Sequence, residues 1–215
     1  MEDSAAQPAR APARCTRMRL EKRHNVALGA LIALALLLRL AYVLANPQPA
    51  IRGDALHYDD IASNLAAGHG FSMSSVNLLP ADRPPDGGPG PTARRPPLYP
   101  VFLAIVYRVA GHGYGAVLIL QALIGALTCW IIYALCRATL RDRTAALVAL
   151  AMAAVYPPFV RYCGDLLTET LFLFLTVAAF LAAWRAMTAG GAARTALAGA
   201  LGGLAALCRP TAVFF

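Results

Sequence analysis

The sequence predicts an all-α, polytopic transmembrane bundle with short helices in its first outer loop. Three observations carry this. Of 215 residues, 59% are hydrophobic, against about 45–50% in soluble domains. Charged residues make up 14%, against about 25%. Several apolar stretches approach or reach the ~20 residues that cross a bilayer. A disordered chain, a secreted disulfide scaffold and a cytosolic enzyme are excluded. The net charge of +8, from 19 Lys+Arg and 11 Asp+Glu, does not indicate nucleic acid. Arg10, Arg14, Arg17, Arg19, Lys22 and Arg23 precede the first apolar run, and most other basic residues lie in short loops between runs. That is the positive-inside pattern of a membrane protein. The five cysteines show no CxxC or Cys/His metal spacing, so they read as core fillers.

Residues 1–25 are basic and Ala/Pro/Arg-rich, and are expected to be a disordered cytoplasmic tail. Residues 26–45 form the first span. It reads as an uncleaved anchor, being too long for a signal-peptide core, interrupted by Arg39, and followed by further spans. Residues 46–113 form the first outer loop. Within it, 55–67 reads as a helix with Asp54 as its N-cap and with Gly68 and Gly70 closing it. Pro and Gly crowd 80–97, which must be irregular. The apolar stretch 98–110 would make roughly 20 Å of helix at 1.5 Å per residue, too short for a ~30 Å hydrocarbon core. Leu98, Val101, Phe102, Ile105, Val106 and Val109 form one helical stripe, so this helix is expected to lie in the interface.

Four more spans are expected at 114–136, 144–162, 166–186 and 195–213. This count keeps the tail, Arg137/Arg141/Arg143 and Arg185/Arg194 on one, inner side. It then puts the long loop, the 160–168 turn and Arg209–Pro210 together on the outer side. Gly199 and Gly203 form a GxxxG expected to pack closely against a neighbour. The end at Phe215, in an apolar run, reads as the N-terminal part of a longer protein.

The polar residues at the outer edge are the candidates for chemistry. Asp54, His57 and Tyr58 share a helix face with Ile61 and Leu65, expected to pack inward, with Asp59 and Asp60 turned to water. Asp54 is then either a general base with tuned ionisation or a plain cap. Asp165 and Glu169 stand four apart at the start of an apolar helix. They either complement the helix dipole or serve a ligand at the membrane edge, and Glu169 sits deeper. Thr168 or Asp165 could cap that helix. Arg209 either pairs with carbonyls at a kink or clamps an anion bidentately. Arg94 and Arg95 could do the same from the loop. Arg39 and Arg161 are weaker candidates, since Arg39 can snorkel. His57, His69 and His112 show no metal-ligand spacing and read as local hydrogen-bonding residues. No metal site is assigned. Acids and arginines gathered beside lipid suit a phosphate-bearing lipid substrate.

The order of motifs resembles a known family. The first span is followed by Asp54-x3-Tyr58 and Gly68-His69-Gly70-Phe71. Then come Arg95-Pro96-Pro97-Leu98-Tyr99-Pro100, Leu118-x2-Gln121-Ala122-Leu123-x-Gly125-Ala126 and Tyr156-Pro157-Pro158. Leu167-Thr168-Glu169-Thr170-Leu171-Phe172 and Gly203-Leu204-x2-Leu207-Cys208-Arg209-Pro210 complete the series. Together they resemble the protein O-mannosyltransferase and lipid A aminoarabinose transferase group of GT-C glycosyltransferases, and most nearly the bacterial members labelled glycosyltransferase family 39-like. The resemblance runs from about Val26 to Phe215.

It implies an inverting transfer of a sugar from a polyprenyl-phosphate donor to a lipid, glycan or protein acceptor, on the outer or periplasmic face of the inner or plasma membrane. By the resemblance, Asp54 and Glu169 are catalytic, with Asp54 as base toward the acceptor. Arg95 and Arg209 face the donor phosphate, and Tyr58 and Asp165 join them in substrate binding. No organic cofactor is implied, and a divalent metal is left open. Many relatives have Asp-Glu where this chain has Asp54-Ala55. Two other classes compete: a transporter or flippase of lipid-linked material, which should show repeats, broken helices and mid-membrane polar groups, and an inactive scaffold, if a fragment has lost its active half.

Overall fold

The protein is described here by a computed structural model covering residues 11–211. Among them lie eight α-helices and one two-stranded sheet. The helices are α1 (Ala11–Ala45), α2 (Asp54–Ala66), α3 (Leu98–Ala110), α4 (Tyr114–Leu140), α5 (Arg143–Val155), α6 (Pro157–Arg161), α7 (Glu169–Ala189) and α8 (Ala192–Cys208). Three of them, α1, α4 and α7, are long and apolar enough to cross a membrane. α3 and α8 are apolar but shorter. Large apolar side chains such as Leu37, Leu44, Leu123, Leu127, Trp130, Met152 and Phe180 stay exposed on the outside of the bundle, as a lipid-facing surface requires.

The start of α1 corrects one expectation. Residues 11–25 continue the helix rather than being disordered, while residues 1–10 lie outside the described residues. Arg17–Arg23 is built from strong helix formers, and extending an existing helix is far easier than nucleating one.

A second correction concerns 144–162. α5 and α6 pass the length test only together and are bent by 57°. The cause is covalent. Pro157 and Pro158 have no N–H to return to Ala153 and Ala154, four residues back. The two freed carbonyls would be costly inside a membrane. Arg39, in α1, takes them: its Nη2 donates to Ala153 O at 3.2 Å and its Nη1 to Ala154 O at 3.2 Å. Nη1 also reaches Ala35 O at 2.9 Å and Nη2 reaches Cys129 Sγ at 3.2 Å. Arg39 is 1% exposed, so it does not snorkel. It sits at the negative end of the α5 dipole and joins α1, α4 and α5. Gly125 makes room for it, since a Cβ there would stand 2.8 Å from both Arg39 Nε and Cys163 Sγ.

Buried Gln121 in α4 fixes the next segment. Its Nε2 donates to the carbonyls of Cys163 and Asp165 at 3.1 and 2.9 Å, and its Oε1 accepts from Tyr99 of α3 at 2.8 Å. One side chain thus holds both the turn that leads into α7 and the helix that ends the long loop.

In the loop, β1 (Ser72–Met73) pairs antiparallel with β2 (Gly90–Pro91) and brings the chain back toward α2. The expectation that Asp59 and Asp60 face water is corrected. Asp60 accepts from Ser74 N (3.0 Å), Ser74 Oγ (2.5 Å) and Asn77 Nδ2 (2.8 Å). Asp59 accepts from Tyr107 (2.6 Å) and Tyr114 (3.3 Å), and pairs with His112 at 3.2 Å. Loop amides and tyrosines that lack a sheet or helix partner use these carboxylates instead.

α8 ends at Cys208, ahead of the end expected at 213, and residues 212–213 lie outside the described residues. Gly199 and Gly203 meet no atom within 4 Å of a built Cβ, so the GxxxG has no close partner among the described residues.

An Arg39→Met protein is expected to lose about 1–3 kcal/mol for each carbonyl left unpaired. Thermal unfolding in detergent should show a clearly lower midpoint. An unchanged midpoint would mean the broken helix does not depend on this guanidinium.

Candidate active site

The site is built where α2, the end of the long loop, the start of α7 and the end of α8 converge. α2 begins at Asp54, with Gly53 at φ 58° as its N-cap and no side-chain capping bond. Asp54 is therefore the first helical residue and not the cap. Ala55, Tyr58, Ile61 and Ala62 form the buried face of α2. The Asp54 side chain is 56% exposed, which corrects its expected inward packing. Asp54 stands in the first turn, at the end of the helix, so it sits above the core rather than against it.

Arg95 folds back over this first turn. Its Nη2 lies 2.5 Å from Asp54 Oδ1. Its Nε and Nη2 reach His57 Nδ1 at 3.2 and 2.8 Å. Its guanidinium also stands over the Tyr58 ring, 5.6 Å from the centroid, within cation–π range. The His57 Nδ1 must be an acceptor here, so the imidazole is neutral. Burial, then the charges of Arg95 and Arg94, push its pKa below the ordinary 6.5. Arg94 itself turns to Asn77 O at 3.3 Å and stays outside the cluster.

The second ion pair comes from the bundle. Glu169 opens α7, and its Oε1 is 3.1 Å from Arg209 Nη1. Arg209 also lies over the Phe172 ring at 5.8 Å. Neither expected cap forms at this helix: Thr168 makes no capping bond, and the Asp165 carboxylate pairs instead with Arg161, one turn back, at 3.8 Å. Asp165 contributes its backbone carbonyl to Gln121 and is not brought to the two ion pairs.

Tyr58 joins the pairs. It is buried, its hydroxyl lies against Thr168, and it feels the charges of Arg95, Asp54 and Glu169. Burial is the largest influence and raises its pKa above 10, so the phenol stays neutral and can donate. Its ring packs edge-on to Tyr99 at 5.2 Å. Beneath lies a core that includes Tyr99, Leu103, Cys163, Leu166, Ala205 and Cys208. Among the described residues, no three His, Cys, Asp or Glu side chains gather as a cation site.

Of the residues singled out from sequence, Asp54 and Arg95 pair beside the Tyr58 ring, Glu169 and Arg209 pair beside the Phe172 ring with the charge of Glu169 reaching Tyr58, and Asp165 joins neither pair. His57 is a member of the cluster that sequence reasoning leaves as an ordinary hydrogen-bonding histidine. Its i+3 spacing from Asp54 is the available signal. Gln121 and Arg39 support the site from inside the bundle, and their partners are backbone carbonyls, which no residue pattern announces.

An almost wholly helical bundle with three helices long and apolar enough to cross a membrane is consistent with a GT-C membrane fold. The comparison with known families agrees. Residues 94–215 match the family of dolichyl-phosphate-mannose-protein mannosyltransferases, more than half of the chain, and the chain belongs to that family. The matched range includes Arg95, Glu169 and Arg209, while Asp54 and Tyr58 precede it. No curated protein and no solved structure matches the chain.

The depressed pKa of His57 sets a direction in pH. A neutral His57 contributes stability that is fully present above 6.5 and is lost as the pH falls through its lower folded-state value. Between about pH 8 and about pH 5 the thermal midpoint of the wild type should fall more steeply than that of His57→Gln. Parallel curves would remove His57 from this linkage.

Proposed function

We propose that this chain is the N-terminal membrane module of a glycosyltransferase that moves a sugar from a polyprenyl-phosphate donor to an acceptor hydroxyl or amine on the outer face of the inner or plasma membrane. The observation that carries this reading is the pairing of Asp54 with Arg95 beside Tyr58 and of Glu169, whose charge reaches Tyr58, with Arg209. It gathers two carboxylates and two guanidiniums, from widely separated parts of the chain, beside apolar surface. Such a set can hold a lipid phosphate and take a proton.

In this reaction Asp54 takes the proton of the acceptor as its oxygen or nitrogen attacks the anomeric carbon. The bond from that carbon to the phosphate oxygen breaks, and the electron pair leaves with the polyprenyl phosphate. Displacement from the opposite face inverts the anomeric centre. Arg209 and Arg95 hold the phosphate and the charge it gains, and Glu169 lines the cavity and orients Arg209. In the resting state each arginine is held by a carboxylate. Donor phosphate competes for Arg95, and its arrival releases Asp54 to act as base, so the donor binds first. Asp165 with Arg161 lies at the rim, where it would meet the substrate only at its periphery.

Membranes containing the protein, incubated with labelled polyprenyl-phosphate sugar, provide the test. At matched expression Asp54→Asn should lower transfer by ~10²–10⁴-fold, the usual worth of a general base. Arg209→Gln should weaken donor binding as well. Equal transfer by wild type and Asp54→Asn would remove Asp54 from the mechanism.

The proposed sidedness has its own check. Single cysteines placed at Ser75 and at Thr188 should label from opposite sides of sealed vesicles. Labelling from the same side would break the shared outer site apart.

A further inference from the structure

Arg39 and Glu169 each leave one polar atom unused. Arg39 Nε and Glu169 Oε2 are buried and have no hydrogen-bond partner among the described residues. Neither is at the surface, and Arg39 as a whole is 1% exposed. Both residues line the same small void, together with Gly125, Thr128, Thr170 and Leu173. The room for the centre of a water molecule there is ≈ 10 Å³, about the volume that one buried water needs. One atom is a donor and the other an acceptor. A guanidinium N–H and a carboxylate oxygen left unpaired in a bundle interior are each costly, and a single water can serve both.

We propose that one buried water bridges Arg39 Nε to Glu169 Oε2, and that Arg39 is thereby a positioning residue for Glu169. Arg39 uses its two Nη groups to close the broken end of α5 and its Nε to face the void. Glu169 is then held from two directions: Arg209 takes Oε1 at 3.1 Å from the outer side, and the Arg39 water takes Oε2 from within. Gly125 keeps the void open, because a Cβ would come 2.8 Å from Nε. The proposal takes the reading of Glu169 as a site residue and adds what aims it.

Infrared difference spectra of the whole chain in detergent test this directly. The carboxylate band of Glu169 is identified as the one missing in Glu169→Gln. A hydrogen-bonded water band that shifts in H₂¹⁸O should be present in the wild type and absent in Glu169→Gln. This comparison leaves Arg39 untouched, and absence of the water band from the wild type would overturn the proposal. Arg39→Lys, which keeps a cation but loses Nε, and Gly125→Ala, which fills the void, should each shift the Glu169 band and remove the water band. An unmoved Glu169 band in a folded variant of either kind would also overturn it.

Thermal midpoints supply a readout independent of spectra. Arg39→Lys and Glu169→Gln combined should lower the midpoint by less than the sum of the two single losses, whereas a strict sum would show that Arg39 acts on α5 alone. None of these measurements needs turnover. Absence of transferase activity from the wild type would therefore count against the proposed reaction, and absence of the water band from the wild type against the Arg39 bridge.

Discussion

Two consecutive prolines in a transmembrane segment create the constraint on which the rest of the bundle depends. Pro157 and Pro158 free the carbonyls of Ala153 and Ala154, and hydrocarbon offers them nothing. A single neutral donor would satisfy one of them. The guanidinium of Arg39 satisfies both in one plane, which an ammonium could not match in geometry. In return, the buried charge gains carbonyl oxygens and a helix C-terminus, which offset much of its desolvation. The bend that results turns the chain into the compact segment 157–168, and that segment leads to Glu169 at the start of α7.

The loop side follows the same logic with opposite charges. An irregular segment of this length has many amides and hydroxyls with no ladder to join. Asp60 anchors the first half of it through Ser74 and Asn77. Asp59 anchors the far end, where Tyr107 and Tyr114 of α3 and α4 meet α2. The two neighbouring carboxylates thus hold different parts of the loop because consecutive helix positions point about 100° apart. Their spacing leaves the Asp54–His57–Tyr58 face of α2 free to meet Arg95. The rigidity of the site is therefore built by acids outside it.

How far the sequence can be read follows from this distinction. Helices at 54–66 and 98–110 and the long α4 and α7 are legible, and Asp54, Arg95, Glu169 and Arg209 stand out as candidates, because apolar periodicity and charges at span ends are written in residue types; which acid pairs with which arginine is not. Nor is exposure. Sequence reasoning turns Asp54 inward and Asp59 and Asp60 outward, and the structure reverses this: Asp54 stands at the exposed first turn of α2, and loop amides and tyrosines fold over the face that carries Asp59 and Asp60, which helix periodicity does not announce. Arg39 escapes such reasoning for a related cause. Hydropathy treats an arginine in an apolar run as a defect near the interface, whereas its partners are main-chain oxygens on another helix, exposed by prolines more than a hundred positions away. The spacing of Asp165 from Glu169 suggests a shared face, yet the irregular turn before α7 gives Asp165 to Arg161 instead.

The charge pairing at the site also bears on selectivity. An unpaired arginine at a membrane edge would attract any lipid phosphate, since every headgroup nearby carries one. Arg95 and Arg209 are each already engaged by a carboxylate, and both also lie over an aromatic ring. A phosphate that binds must therefore replace an existing ion pair, and exchanging one anion for another leaves little net attraction. On the proposed reading, a ligand that engages both arginines and the apolar edge beneath Tyr58 at the same time would displace the acids best. Such a ligand needs a long apolar chain and a phosphate held at a fixed depth. Ordinary phospholipids supply the phosphate but place it wherever the bilayer surface lies. In the proposed reaction, the two-pair arrangement would favour a lipid whose phosphate is drawn to the level of Glu169, beside the turn that Gln121 holds through the carbonyls of Cys163 and Asp165.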